Sequence, residues 1–187
     1  MIAAHNDEPP LASQHQQGFI DGPSSARAER AGGENAGQTP RTLVAGVGNI
    51  FFGDDGFGVE VARRLAERDL PEGVTVADYG ISGMHLAHDL SNGYDRAILI
   101  DATPRGGAPG TVYVLEPDAP AEPNHALFDS HGMQPEVVLG MLGMLGAATG
   151  QMLIVGCEPA SSEPGIGLSG PVAAAVNDAV RKVLELI

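Results

Sequence analysis

The 187-residue sequence predicts one three-layer α/β/α domain with a mostly parallel, twisted sheet, preceded by a disordered extension. Short apolar runs alternate with segments of helical period, and that alternation is typical of parallel sheets covered by helices on both faces. Residues 1–40 instead contain few large apolar side chains and no periodic pattern, so burial cannot offset their ordering entropy. We therefore assign residues 1–40 to the extension and residues 41–187 to the domain.

The individual elements follow from local patterns. Residues 43–47 form an apolar run that predicts a buried strand, and residues 55–68 repeat apolar side chains on one face of a helix. Pro135 and Pro171 each stand near a first helical turn, where proline is favoured. The remaining predicted elements are strands at 74–78, 97–100, 111–115 and 152–155, and helices at 84–90, 134–148 and 171–186, the last capped by Ser169 or Gly170.

The composition excludes several classes of protein. A net charge of −14 disfavours nucleic-acid binding and basic membrane-surface binding, both of which need clustered Lys and Arg. No apolar run approaches the ~20 residues of a membrane helix, and the N-terminus lacks the pattern of a secretory signal. A single cysteine, Cys157, excludes an intramolecular disulfide and a cysteine-cluster zinc site. We expect a soluble, cytoplasmic protein.

A glycine-rich loop follows the first predicted strand. Gly46-Val47-Gly48 begins like a dinucleotide-binding fingerprint, but Phe51 stands where the third glycine is needed. Gly48 and Gly53 have the spacing of a P-loop, but Asp54-Asp55 replaces the Lys-Ser/Thr pair that binds phosphate. Two carboxylates would repel phosphate, so the loop suits a cation and a nucleotide-binding protein is disfavoured.

Asp55, Asp101 and His131 are the candidate functional residues. Asp55 follows the first predicted strand, Asp101 follows the third, and the carboxyl ends of parallel strands meet at one edge of the sheet. Two carboxylates and an imidazole suit a divalent metal such as Ni, Zn, Mn or Fe, or acid–base hydrolysis. Each residue also has a structural interpretation: Asp55 as a helix N-cap, Asp101 as a turn residue, and His131 as an exposed or capping histidine.

Other reactive side chains have weaker signals. His85 and His88 lie three residues apart on a predicted helix, away from any strand end, and are interpreted as structural. Cys157 follows a buried strand without a histidine nearby in sequence, which favours a small apolar role over a reactive thiol.

Five segments, in this order, resemble the hydrogenase maturation endopeptidases that process nickel–iron hydrogenases. They read LVAGVGNIFFGDDGFGV (43–59), VADYGISGMHL (76–86), ILIDATPRGGAPGTVYVLEPD (98–118), DSHGM (129–133) and VGCEP (155–159). The resemblance covers residues 41–187 and implies a cytoplasmic α/β/α endopeptidase, commonly grouped as aspartic-type. It would remove the C-terminal peptide from the large-subunit precursor after nickel insertion. The family's nickel-contacting residues correspond to Asp55, Asp101 and His131, with nickel supplied by the precursor, and either carboxylate is a candidate general base.

One position departs from the family pattern. The loop after the second strand often reads Asp-Gly-Gly-Thr-x-Gly, whereas this chain has Asp78, Gly80 and Gly83 but Ile81 in place of threonine. A non-catalytic, metal-recognising assembly factor for the large subunit would keep the metal residues and tolerate this change. It is the alternative function.

Overall fold

The computed structural model describes residues 39–117 and 150–187. Within these residues the chain forms five strands, a 3-10 turn at Gly53–Gly56 and three α-helices. The strands are β1 (Thr42–Val47), β2 (Val74–Gly80), β3 (Arg96–Ala102), β4 (Val112–Leu115) and β5 (Gln151–Cys157). The helices are α1 (Phe57–Ala66), α2 (Gly83–Leu90) and α3 (Gly170–Leu186).

The strands form one sheet in the order β2-β1-β3-β5-β4. β1 pairs in parallel with both β2 and β3, and β3 pairs in parallel with β5, whereas β4 joins the edge antiparallel to β5. The mostly parallel sheet predicted from the sequence is confirmed. This topology places the carboxyl ends of β1, β2, β3 and β5 at the same edge.

Alternating side chains of β1 supply two separate cores. Val44 packs on one face of the sheet with Val61 of α1 and Val176 of α3. Leu43 packs on the opposite face with Leu86 of α2. All five side chains are fully buried. Helices therefore cover both faces, and the predicted three-layer architecture is confirmed.

Some predicted boundaries were wrong because pairing and local packing, rather than apolar runs, set the ends of elements. The helix predicted at 55–68 is a 3-10 turn at Gly53–Gly56 followed by α1. β3 and β5 extend beyond their apolar runs because Asp101 pairs with Gly156 and Ala102 pairs with Cys157. Asp101 and Cys157 therefore lie on strands instead of in the loops that follow them.

Several predictions fall outside the described residues: the extension up to residue 38, the helix at 134–148 and the loop of His131. These stay predictions. Across the two described segments, none of the helices has the length and apolarity needed to span a membrane.

Candidate functional site

Asp55 lies in the 3-10 turn that follows β1, and its side chain is half-buried. Its Oδ2 accepts a hydrogen bond of 2.7 Å from the backbone N–H of Asn49, which orients the carboxylate. Asp55 does not cap α1, because Gly56 is the N-cap residue. The N-cap interpretation is therefore wrong. One carboxylate oxygen of Asp55 accepts no hydrogen bond from residues 39–117 or 150–187.

Asp101 lies near the carboxyl end of β3, next to the turn that carries Asp55. Its predecessor, Ile100, pairs with Gly46 of β1, and the 3-10 turn packs against β3. A Cβ added to Gly58 of α1 would lie 2.0 Å from the carbonyl oxygen of Ile100, so the start of α1 contacts this strand directly. Asp55 and Asp101, both half-buried, therefore lie at the same edge of the sheet, as predicted.

The glycines of the loop have packing roles that do not involve a nucleotide. Gly48 has a φ of 122°, and a Cβ there would lie 1.8 Å from the carbonyl oxygen of Asp55. A Cβ on Gly46 would lie 2.4 Å from the carbonyl oxygen of Gly58 and 2.6 Å from the Cβ of Ala62. The glycine spacing that resembles a dinucleotide fingerprint thus brings β1, the Asp55 turn and α1 into close contact.

Asp54, the neighbour of Asp55, points into the protein and is only 1% exposed. Its Oδ1 accepts a 2.6 Å hydrogen bond from the N–H of Ser169. Its Oδ2 accepts bonds from the N–H of Ala160 (2.8 Å), the N–H of Ser161 (3.2 Å) and the hydroxyl of Ser169 (2.9 Å). Burial disfavours the charged form, but these hydrogen bonds outweigh it and hold the pKa of Asp54 below its ordinary value of 3.8. Asp54 therefore joins the glycine-rich loop to residues 160–169.

Glu158 is a second buried carboxylate, 5% exposed, directly after β5. It accepts hydrogen bonds from the backbone N–H groups of Arg105 (2.9 Å) and Gly106 (3.0 Å) and from the hydroxyl of Tyr113 (2.9 Å). Burial opposes ionisation, but these donors hold the pKa of Glu158 below its ordinary value of 4.5. Glu158 fixes the segment that leads away from Asp101. Sequence reasoning missed both structural carboxylates because their partners are distant in the chain.

The remaining predicted residues divide into three groups. His131 lies outside the described residues, so its place relative to the two carboxylates is not given. His85 and His88 are exposed on α2, and nowhere in residues 39–117 and 150–187 do three His, Cys, Asp or Glu side chains form a metal-binding group. Cys157 is fully buried, and burial raises the pKa of its thiol to about 11. This supports the small apolar role predicted for Cys157.

Comparison with known proteins agrees with the fold. The hydrogenase maturation protease family model matches residues 59–186. The hydrogenase 2 maturation protease of Escherichia coli is 36% identical over 150 residues, which are 79% of this chain and 90% of that protein. The structure of the hydrogenase maturating endopeptidase HybD from E. coli has a TM-score of 0.65 and 33% identity, over 78% of this chain and 91% of that one. The structure of a hydrogenase 2 maturation peptidase from a Thaumarchaeota archaeon has a TM-score of 0.60 and 34% identity, over 78% of this chain and 97% of that one.

Proposed function

Since the chain belongs to the hydrogenase maturation protease family, we propose that it is an endopeptidase for a nickel–iron hydrogenase. It removes the C-terminal peptide from the nickel-loaded precursor of the large subunit. The proposal rests on Asp55 and Asp101, two half-buried carboxylates at one edge of the sheet. Asp101 lies on β3, and Asp55 lies in the turn after the neighbouring parallel strand β1. Family membership supplies the reaction class, and this edge is where parallel sheets bind their ligands.

We treat nickel as part of the substrate. The ion arrives in the precursor, and Asp55, Asp101 and His131 recognise it by adding carboxylate and imidazole donors, which divalent nickel accepts. The geometry around Asp55 suits this role, because the Asn49 N–H holds one carboxylate oxygen and the other makes no hydrogen bond to the described residues. Asp54 takes no part in recognition, since its hydrogen bonds to residues 160, 161 and 169 occupy both carboxylate oxygens.

Peptide-bond hydrolysis also needs a base. Asp55 or Asp101 accepts a proton from water as the water oxygen attacks the scissile carbonyl. The carbon–nitrogen bond then breaks, and the amine of the released peptide leaves with a proton. This use of a carboxylate corresponds to the aspartic-type grouping of the family.

A cleavage assay tests the proposal. Purified protein is mixed with nickel-loaded precursor, and loss of the C-terminal peptide is followed by mass spectrometry. The informative variant is Asp55→Asn, because the amide oxygen can still accept from the Asn49 N–H while the charge is lost. We expect a rate reduction of about 10–100-fold or more. The matched control is Asp69→Asn, which removes a charge from an exposed residue after α1.

Each result has a distinct meaning. If Asp55→Asn cleaves as fast as wild type, Asp55 has been assigned wrongly. If wild type binds the loaded precursor but releases no peptide, the endopeptidase proposal fails and the assembly factor replaces it. Precursor without nickel should be cleaved slowly or not at all, and equal cleavage with and without nickel would contradict recognition of the ion.

A further inference from the structure

A cavity of about 350 Å³ lies beside the loop that carries Asp55, between α1 and the segment leading into α3. Two of its glycines, Gly53 and Gly56, bound the 3-10 turn itself. Its wall is mainly apolar, and the apolar side chains that line it are Ile50, Val59, Ile166, Leu168, Ala173 and Val176. The cavity therefore borders the turn that carries Asp55.

Two charged side chains reach this cavity, and both are already paired. Arg64 donates to Glu60 at 3.0 Å and to the side-chain oxygen of Asn177 at 2.8 Å. Glu60 also accepts from Arg63 at 2.9 Å. Because these charges satisfy one another, a charged ligand would find no free counter-charge among them. The cavity is suited to a neutral, apolar group.

The mouth of the cavity is held in shape by backbone hydrogen bonds. Gly165 donates to the carbonyl of Phe51 at 2.8 Å, and Gly53 donates to the carbonyl of Gly165 at 2.9 Å. These bonds connect the loop of Ile50 to the loop of Ile166. Ile50 and Ile166 are nevertheless 48% and 85% exposed, so neither serves mainly to fill the core. Exposed apolar side chains around a preformed opening are typical of an interaction site.

We propose that this cavity is a subsite that receives one apolar side chain of the polypeptide substrate. This inference rests on the proposed function, because it takes the ligand to be the polypeptide that also reaches Asp55. The position of the cavity selects that occupant, because Gly53 and Gly56, the two ends of the turn that carries Asp55, line it. A polypeptide that reaches Asp55 is therefore within reach of the opening.

The test fills the cavity from α3. Ala173 lies on the exposed face of α3 and lines the cavity, so Ala173→Leu occupies its space with a residue that favours helices. Ala174 is the next residue, is also exposed and does not line the cavity, so Ala174→Leu is the matched control. With nickel-loaded precursor as substrate, we expect Ala173→Leu to raise KM about tenfold or more and to leave kcat unchanged.

A second variant removes apolar surface at the mouth. Ile166→Ala changes a side chain that is 85% exposed, so folding should be unaffected, and KM should rise several-fold. Val114→Ala, at another exposed apolar position on β4, should not change KM. Thermal denaturation of each variant checks that it is folded.

The outcomes separate this inference from the proposed function. If wild type releases no peptide, the proposed function fails. If wild type cleaves the precursor, but Ala173→Leu and Ile166→Ala have the same KM as their control variants, the subsite is refuted. The proposed endopeptidase activity is then unaffected. A loss confined to kcat would also refute the subsite, because it would indicate a disturbed Asp55 turn instead of weaker binding.

Discussion

Replacing Asp54 with asparagine should destabilise the protein although the two side chains have nearly the same shape. Four donor groups point at this carboxylate, on both of its oxygens. An amide has one oxygen, so its NH₂ group must face a backbone N–H on one side. A buried donor without a partner costs about 1–3 kcal/mol, and the other bonds lose the strength that a charged acceptor gives them.

Together these effects predict a loss of about 3 kcal/mol in the free energy of unfolding. For a chain of this size that corresponds to roughly 6–12 °C in Tm. Urea unfolding followed by circular dichroism measures the loss, with Asp69→Asn as a control for removal of one exposed negative charge. If Asp54→Asn lies within about 0.5 kcal/mol of wild type, as exposed substitutions do, the hydrogen bonds do not stabilise the loop.

The same carboxylate predicts a dependence on pH. The pKa of Asp54 is lower in the folded protein than its ordinary value of 3.8, so the folded state favours the ionised form. The stabilisation is fully present above the unfolded pKa and is lost as pH falls below about 4 through the folded pKa. Unfolding curves at stepped pH should therefore show wild type converging on Asp54→Asn under acid conditions. A difference that stays constant from pH 7 to pH 3 would refute the electrostatic explanation.

Three further predictions concern close packing and the other buried groups. Gly58→Ala should give little folded protein on expression and a lowered Tm, because the added Cβ would lie 2.0 Å from a backbone oxygen of β3. The control Gly170→Ala adds its Cβ in open space and should leave both measurements unchanged. The thiol of Cys157, with its pKa raised to about 11, should resist alkylation at pH 8 until the protein is denatured, and rapid native labelling would contradict its burial. Glu158→Ala removes the acceptor and should accelerate hydrogen exchange at the Gly106 amide, and unchanged exchange would argue against the hydrogen bond.

The fold could be predicted because its signals are local. The apolar run at 43–47 marks a strand buried on both faces, and Val61 and Leu65 mark the buried face of α1. The ends of β3 and β5 could not be read in this way, because pairing of Asp101 with Gly156 extends both strands past their apolar residues. Strand length depends on the neighbouring strand as well as on the sequence of the strand itself.

The candidate site was only partly predictable. Asp55 and Asp101 could be selected because Asp101 directly follows an apolar run and Asp55 lies in the loop after another, and parallel topology brings such positions together. The role of Asp54 could not be predicted, because its carboxylate oxygens accept hydrogen bonds from residues that are 106 to 115 positions away in the sequence. From sequence alone, Asp54 and Asp55 are two equivalent acidic residues in one loop.

The structure gives these two neighbours different chemistry through the number of donors around each. Asp54 is surrounded by four hydrogen-bond donors and is almost inaccessible, so its charge is compensated inside the protein. Asp55 has one backbone donor and a half-buried side chain, so its charge remains available at the sheet edge. If this division is correct, Asp54→Asn should lower stability and Asp55→Asn should lower cleavage, each with a smaller effect on the other property. A variant of Asp55 that lost stability as severely as the Asp54 variant would show that both carboxylates are structural, and the site would then depend on Asp101 and His131 alone.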